Sequence, residues 1–169
     1  MKKHLLLIMR HAKSDWSDHA AADFDRMLTD RGRKDAKKMG TWLRKKKIIP
    51  DSIVSSPAAR AERTALIVCK ETGFDPAEIM WDRRIYEASR EDLLKVVAGH
   101  AQNNGCMLLI GHNPGLEELL SYLSGDQPEA NETGKMLTTA AIAVLDYGKQ
   151  AINHKKASAR LVRLVRPRD

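Results

Sequence analysis

Three short segments of this 169-residue chain bring arginine, histidine and helix-start residues together directly after apolar runs. Arg10-His11 follows Leu5-Leu6-Leu7-Ile8-Met9. Ser55-Ser56-Pro57, with Arg60 just beyond, closes a second run that begins at Ser52. Gly111-His112-Asn113-Pro114 follows Cys106–Ile110. Arginine presents a planar fork of N–H donors that matches phosphate oxygens in pairs. An imidazole is uncharged near neutral pH and nucleophilic, and a phosphorylated imidazole is reactive enough for water to clear it. Ser-Pro and Asn-Pro each read as a helix N-cap followed by proline at the first helical position. The N–H groups at such helix starts attract anions. A site with these contents wants a phosphoryl group.

Other phosphate chemistries do not fit the residues. No glycine-rich loop ends in Lys-Ser/Thr, as nucleotide hydrolysis of the P-loop type requires. Cys106 is followed six positions later by His112, not by the arginine of a cysteine-dependent phosphatase. No H-x-x-x-H pair or aspartate-rich cluster calls for a catalytic metal, so neither metal nor other cofactor is expected. Histidine is left as the nucleophile.

The elements that must position these residues follow from periodicity. Leu5–Met9 and Cys106–Ile110 are short continuous apolar runs, the mark of strands buried on both faces. Ser52–Ser55 is a further strand, and Ile79–Trp81 and Ala140–Leu145 are candidates. Arg160 to Arg166, with arginines three apart, reads as an edge strand. A polar loop from Lys13 to Arg26 separates the first strand from a helix expected over 30–47. That helix has Ala36, Met39, Gly40 and Leu43 on one face, and Arg44 to Lys47 as its solvated basic end. A helix capped by Ser56 carries Ala61, Ala65 and Val68 and stops at Gly73. A third runs from Arg90 to about Gln102, with Leu93, Leu94, Val97 and Ala98 apolar. A fourth, capped by Asn113, ends at Gly125. This alternation predicts an α/β fold, a three-layer sandwich whose mostly parallel central sheet has helices on both faces. In such sheets ligands bind beyond the carboxyl ends of the strands, where all three segments lie.

Composition narrows the class. A chain of this length is close to one domain at roughly 150 residues each, so a single domain over 1–169 is expected. Hydrophobic residues make up 43%, enough for one core, and 29 basic against 22 acidic side chains leave a net charge of +7. That charge suggests an anionic partner. Aromatic residues are only 5% and no reader motif is present, so nucleic acid is not the expected partner. The N-terminal apolar run after Lys2-Lys3 is too short for a signal peptide, and no stretch approaches a membrane span. Cys69 and Cys106 have no metal or redox spacing and read as reduced core residues of a cytoplasmic protein. His4, His19, His100 and His154 read as structural or surface residues, and Trp16 as a pocket wall or a loop cover.

Several blocks resemble the histidine phosphatase (phosphoglycerate mutase-like) superfamily. Leu7-Ile8-Met9-Arg10-His11-Ala12-Lys13-Ser14 is similar to its R-H-G signature, with Ala12 in place of the usual glycine. Thr29-Asp30-Arg31-Gly32 resembles its turn before the first long helix. Ser55 to Ala65 resembles its second block and Gly111-His112-Asn113 its third, all in family order. The short length and the Arg-His-Ala-Lys-Ser form look most like the SixA-type phosphohistidine phosphatases.

That resemblance implies a phosphoglycerate mutase-like fold and a metal-independent phosphatase in which His11 takes the phosphoryl group. Arg10, Arg60 and His112 would hold its oxygens. It places Ser17 where many relatives have a phosphate-contacting asparagine, and Glu87 near the proton-donating glutamate of ester-cleaving branches. Lys13 and Arg26 are expected at the pocket mouth. The expected substrate is phosphohistidine on a protein, reached through a shallow basic pocket. A small-molecule phosphomonoesterase using Glu87 as general acid, acting on a phosphorylated metabolite, and a non-catalytic phosphate-binding module stay open beside it.

Overall fold

Continuous apolar runs need cover on both faces, and two of the strands have it along their whole length. The computed structural model describes residues 3–101 and 105–168. Its strands are β1 (Leu5–Arg10), β2 (Ser52–Ser55), β3 (Met80–Trp81), β4 (Cys106–Gly111), β5 (Ile142–Asp146) and β6 (Arg160–Val165). Its helices are α1 (Asp30–Lys45), α2 (Ala59–Thr72), α3 (Arg90–His100) and α4 (Gly115–Ser124), with 3-10 turns at Asp23–Asp25, Pro76–Glu78 and Arg83–Ile85. The strands form one sheet in the order β3-β2-β4-β1-β5-β6. β1 to β4 run parallel, and β5 and β6 are added antiparallel at one side.

Alternation along the central strands divides the core into two layers. Leu6, Ile8, Met107 and Leu109 face α3 and α4, where Leu93, Val97, Leu116 and Leu120 are buried. Leu7, Met9, Leu108 and Ile110 face α1 and α2, where Met39, Leu43, Ala65 and Val68 are buried. Helices therefore cover both faces, as the sequence pattern predicts. Each fully buried leucine or isoleucine in these layers contributes about 1.5–3 kcal/mol. That outweighs the ~1 kcal/mol per residue lost by placing glycine in a helix, as α1 does at Gly32 and Gly40.

Those two glycines have a reason. A Cβ on Gly40 would lie 2.8 Å from Cβ of Glu71, so glycine lets α1 and α2 pack closely. A Cβ on Gly32 would lie 2.2 Å from the carbonyl oxygen of Lys13. Thr29 caps α1 by accepting from the Gly32 N–H at 2.9 Å, and its own N–H donates to the same Lys13 carbonyl at 3.0 Å. The start of α1 is thus docked onto the loop that follows β1.

Several boundaries differ from the sequence expectation. α1 stops at Lys45, with Lys46 as C-cap and Lys47 at a positive φ of 59°, so the basic run is partly outside the helix. α2 starts at Ala59, with Ala58 and not Ser56 in the N-cap position. α4 starts at Gly115, because the Asn113 amide is turned into a donor and cannot cap it. Gly73 and Gly125 do end their helices, at φ 79° and 72°. Val96 joins Leu93 and Val97 on the buried face of α3, whereas Ala98 is exposed. The third strand shortens to Met80–Trp81, since Ile79 closes a 3-10 turn. Gln102, the expected end of α3, and Lys2 lie outside the described residues. Among the described residues no helix is long and apolar enough to cross a membrane.

Candidate active site

Register brings the three segments together. Arg10 is paired with Gly111 across β1 and β4, and Ser55 with Ile110 across β2 and β4. The residues just beyond these pairs, His11, Ser56 and His112, therefore meet at one edge of the sheet. The His11 N–H donates to the Gly111 carbonyl and the Ser56 N–H to the Ile110 carbonyl, each at 3.0 Å. The two histidine rings lie 5.1 Å apart between centroids.

His11 is buried and held at both ends. The Ala12 N–H donates to Thr64 Oγ1 at 3.0 Å, and Thr64 Oγ1 donates to the Arg60 carbonyl at 2.7 Å, which ties the loop to α2. His11 Nδ1 lies 2.7 Å from the Ala12 carbonyl oxygen. A carbonyl can only accept, so Nδ1 carries the proton and Nε2 the lone pair. That lone pair faces Arg60, whose Nε–H donates to it across a long 3.4 Å. Burial, reinforced by the charges of Arg60 and Arg10, holds the ring's pKa well below 6.5 and keeps it neutral.

His112 is fixed by Ser56. The Ser56 Oγ accepts from the Ala58 N–H at 3.2 Å and lies 2.8 Å from His112 Nε2. One hydrogen bond between the hydroxyl and that nitrogen fixes the ring. Nδ1 is buried and has no partner. The same is true of Arg10 Nε and Asn113 Oδ1. Buried polar atoms are nearly always paired, so this cluster is built to be completed by a bound group. Burial, then the charge of Arg60, lowers the His112 pKa to about 4.

These residues line a cavity of about 220 Å³ formed by Arg10, His11, Lys13, Ser14, Trp16, Arg26, Arg60, His112, Asn113 and Thr139. A larger apolar cleft of about 500 Å³, along the Lys34–Lys45 face of α1, contains no histidine and no carboxylate. Of the residues expected from sequence, the structure brings together His11, Arg10, Arg60, His112, Lys13 and Arg26. Arg10 donates through Nη1 to the Leu137 carbonyl at 3.1 Å, and Arg26 through Nε to Ser14 Oγ at 2.9 Å. Arg26 also stacks over Trp16, 3.6 Å from the ring centroid, so Trp16 is a wall of the cavity.

Two expected residues are not in the lining. Ser17 is exposed, with its N–H turned to Asp15 Oδ1, and Ser14 occupies the inner position instead. Glu87 is exposed, at φ 55°, and does not line the cavity. Its neighbour Tyr86 does reach the site. The Tyr86 ring stands edge-on to His112 at 5.6 Å, and its hydroxyl donates to Asp23 Oδ2 at 2.6 Å. Sequence reasoning missed Asp23, Tyr86, Asn113 and Thr139 as site components. Ser14 was within reach, since it closes the Arg-His-Ala-Lys-Ser run.

The buried neutral histidines make a pH prediction. A histidine whose folded pKa is depressed adds stability above its unfolded value, and loses it as pH falls toward the folded value. For His112 that window runs from 6.5 down to about 4, and His11 acts in the same direction. Urea melts of the wild type should therefore weaken steadily below pH 6.5. In His112→Asn the pH slope near pH 5 should be smaller by up to ~1.4 kcal/mol per pH unit, the weight of one proton. An unchanged slope would contradict the assignment.

The comparisons agree with this geometry. The model of the histidine phosphatase superfamily (branch 1) matches residues 6–93, just over half of the chain. An uncharacterized protein of Mycobacterium tuberculosis is 34% identical over 141 residues, covering 81% of this chain and 85% of its own. A structure from Agrobacterium tumefaciens that carries the SixA phosphohistidine phosphatase name superposes with TM-score 0.79 at 25% identity, over 96% of this chain and 97% of its own. The protein histidine phosphatase SixA solved with tungstate superposes with TM-score 0.79 at 23% identity, over the same 96% and 97%. The matched stretch opens in the strand that delivers Arg10 and His11 and takes in the helix that delivers Arg60. On that footing the chain belongs to the histidine phosphatase superfamily, branch 1, with the SixA-type α/β fold, and it is a phosphatase.

Proposed function

We propose that this phosphatase removes the phosphoryl group from phosphohistidine on a protein, through a covalent intermediate on His11, within one domain spanning 1–169. The observation that carries the reading is the state of His11: Nδ1 is locked on the Ala12 carbonyl, and the Nε2 lone pair faces Arg60 in a cavity walled by Arg10, Arg26 and His112. Nε2 attacks phosphorus as the P–N bond to the substrate imidazole breaks, and that nitrogen leaves with a proton from solvent. Water then attacks the phosphoryl group on His11, the P–Nε2 bond breaks, and inorganic phosphate leaves as a proton returns to solvent. Arg10, Arg60 and His112 stabilise the charge on the equatorial oxygens, which is the main task in phosphoryl transfer. Lys13 and Arg26 draw the anion to the mouth, and no metal or cofactor takes part.

A cavity of about 220 Å³ holds a phosphoryl group and little of what it is attached to. That supports a substrate residue presented on a protein surface over an enclosed metabolite. Cys69 and Cys106, both buried and in no disulfide, support a cytoplasmic setting. The test is phosphate release from a phosphohistidine protein and from an aryl phosphate, side by side without metal. Preference for the phosphohistidine supports the proposal. Preference for the ester sinks it in favour of a phosphomonoesterase.

The second reading gives Glu87 the role of general acid for an ester, favoured by its place beside Tyr86 at the site wall. An ester oxygen needs a proton to leave, and removing a general acid costs about 10²-fold or more. Glu87→Gln should change phosphohistidine turnover by less than about threefold, because a protonated imidazole leaves unaided. A hundredfold loss on the aryl phosphate in the same variant would establish Glu87 as the acid for esters.

A further inference from the structure

The 3-10 turn Asp23–Asp25 lies in a loop that the sequence presents only as polar, yet it touches two residues of the cavity lining and the tyrosine that packs on a third. Asp23 accepts from Arg60 twice: Nη1 donates to its backbone carbonyl at 2.7 Å and Nη2 to Oδ2 at 3.1 Å. Its Oδ1 accepts from Arg26 Nη1 at 2.5 Å, and Oδ2 also accepts from the Tyr86 hydroxyl at 2.6 Å. One half-exposed carboxylate is thus shared by α2, by the loop carrying Ser14 and Trp16, and by the tyrosine that stands against His112.

The direction of the Arg60 contacts matters more than their number. A guanidinium has an end, formed by Nη1 and Nη2, and a side edge that includes Nε. Asp23 takes one N–H from each nitrogen of the end. The Nε–H on the side edge points at the His11 lone pair. A bidentate grip on phosphate needs one chosen edge presented to it. Unclasped, a long arginine side chain has many rotamers in which that edge points elsewhere.

We propose that Asp23 is a positioning residue: it clasps the far end of Arg60 so that the Nε edge stays aimed at the phosphoryl group carried on His11. This rests on the assignment of His11 as phosphoryl acceptor. The same carboxylate holds Arg26 and Tyr86, so the clasp and the cavity wall form together. Asp23 itself does not touch the reacting atoms.

Electrostatics and positioning predict opposite signs. Deleting a carboxylate beside an anion site, by charge alone, tightens anion binding. If Asp23 positions Arg60, deleting it weakens binding. Calorimetric titration with tungstate, a phosphoryl mimic, decides between them. Asp23→Asn should bind tungstate about tenfold more weakly than wild type, with kcat/KM down about 10- to 100-fold. Asp25→Asn removes the same charge two residues away in the same exposed turn, and should bind as tightly as wild type or tighter. The Arg60 Nε–H resonance, held against His11 Nε2 in the wild type by the clasp on the other two nitrogens, should lose its dispersion and exchange faster in Asp23→Asn.

Unchanged or tighter tungstate binding in Asp23→Asn, or an unchanged Arg60 Nε–H resonance, overturns the proposal. A fall in melting temperature with tungstate affinity intact overturns it too, since that is what a purely structural ion pair would give. Tungstate binding needs no turnover. A wild type that binds tungstate but leaves phosphohistidine intact would remove the substrate reading, and the comparison of variants would still decide the role of Asp23.

Discussion

His11→Asn should abolish phosphate release while leaving the cavity intact. Asparagine has no ring nitrogen to take a phosphoryl group, so the loss should approach the full contribution of a nucleophile, ~10³- to 10⁶-fold. Arg60 and His112 lose a contact with the His11 ring, but each is also held by a partner elsewhere. Arg60 still reaches Asp23, and His112 still reaches Ser56. Tungstate affinity should therefore stay within about threefold of wild type, because the arginines supply most of the anion binding. The distinguishing measurement is a quench of enzyme mixed with ³²P-labelled phosphohistidine protein. Acid-labile, base-stable label should appear on the wild type and be absent from the variant. Label on His11→Asn would show that another residue carries the phosphoryl group.

Arg60→Lys is the second large effect, and it separates charge from geometry. The variant keeps one positive charge in a buried position, which a pure Coulomb account would count as nearly neutral. Lysine is a point charge with no fork, so it cannot hold Asp23 at one end and face His11 with the other. The expected loss in kcat is about 10²- to 10³-fold, the scale for removing one aligned donor from a developing oxyanion. Stability should also fall by about 1–3 kcal/mol, since the Asp23 carbonyl and carboxylate lose donors that they now share with Arg60. Single-turnover kinetics with thermal melts check both numbers. A lysine variant within fivefold of wild type would mean that positive charge alone suffices at this position.

The two variants probe different links of one chain of causes. β1 and β4 must be buried on both faces, so their apolar runs end abruptly where the sheet meets solvent. Polar residues at those ends can only point into the crevice. Arg10, His11 and His112 get their places from that rule. Arg60 gets its place from the first turn of the helix after β2, where a buried arginine close to the helix's positive end is unfavourable without an anion.

The positions of those four residues were therefore legible from hydrophobic periodicity and from the residue types that follow each run. So was the layering, because Leu6/Leu7 and Leu108/Leu109 alternate between two buried faces. The helix stops at Gly73 and Gly125 were legible for a local reason: a left-handed residue is cheapest as glycine. The starts of α1 at Asp30 and α3 at Arg90 were legible too, but those of α2 and α4 were not. Ser56 and Asn113 have the side chains of N-caps, but the Ser56 hydroxyl is shared between the Ala58 N–H and His112, and the Asn113 amide donates instead of accepting. Ser56 meets His112 and Asn113 meets Glu117 and Leu137. Cap propensity is worth about 1 kcal/mol, little enough for such contacts to override.

Asp23, Tyr86 and Ser14 show where local reading ends. Asp23 meets Arg60 across 37 positions and Tyr86 across 63. Side-chain hydrogen bonds at such separations leave no period, spacing or composition shift in the chain. Ser17 and Glu87 were placed by family resemblance alone, yet Ser14 is the serine that turns inward and Tyr86 the one of its pair that faces His112. Residue types and strand ends, read from sequence, pointed to a phosphoryl group handled at the carboxyl ends of the parallel strands. Only the tertiary structure decided which nitrogen of His11 is open and which edge of Arg60 faces it, because both are set by partners that the folded chain brings together.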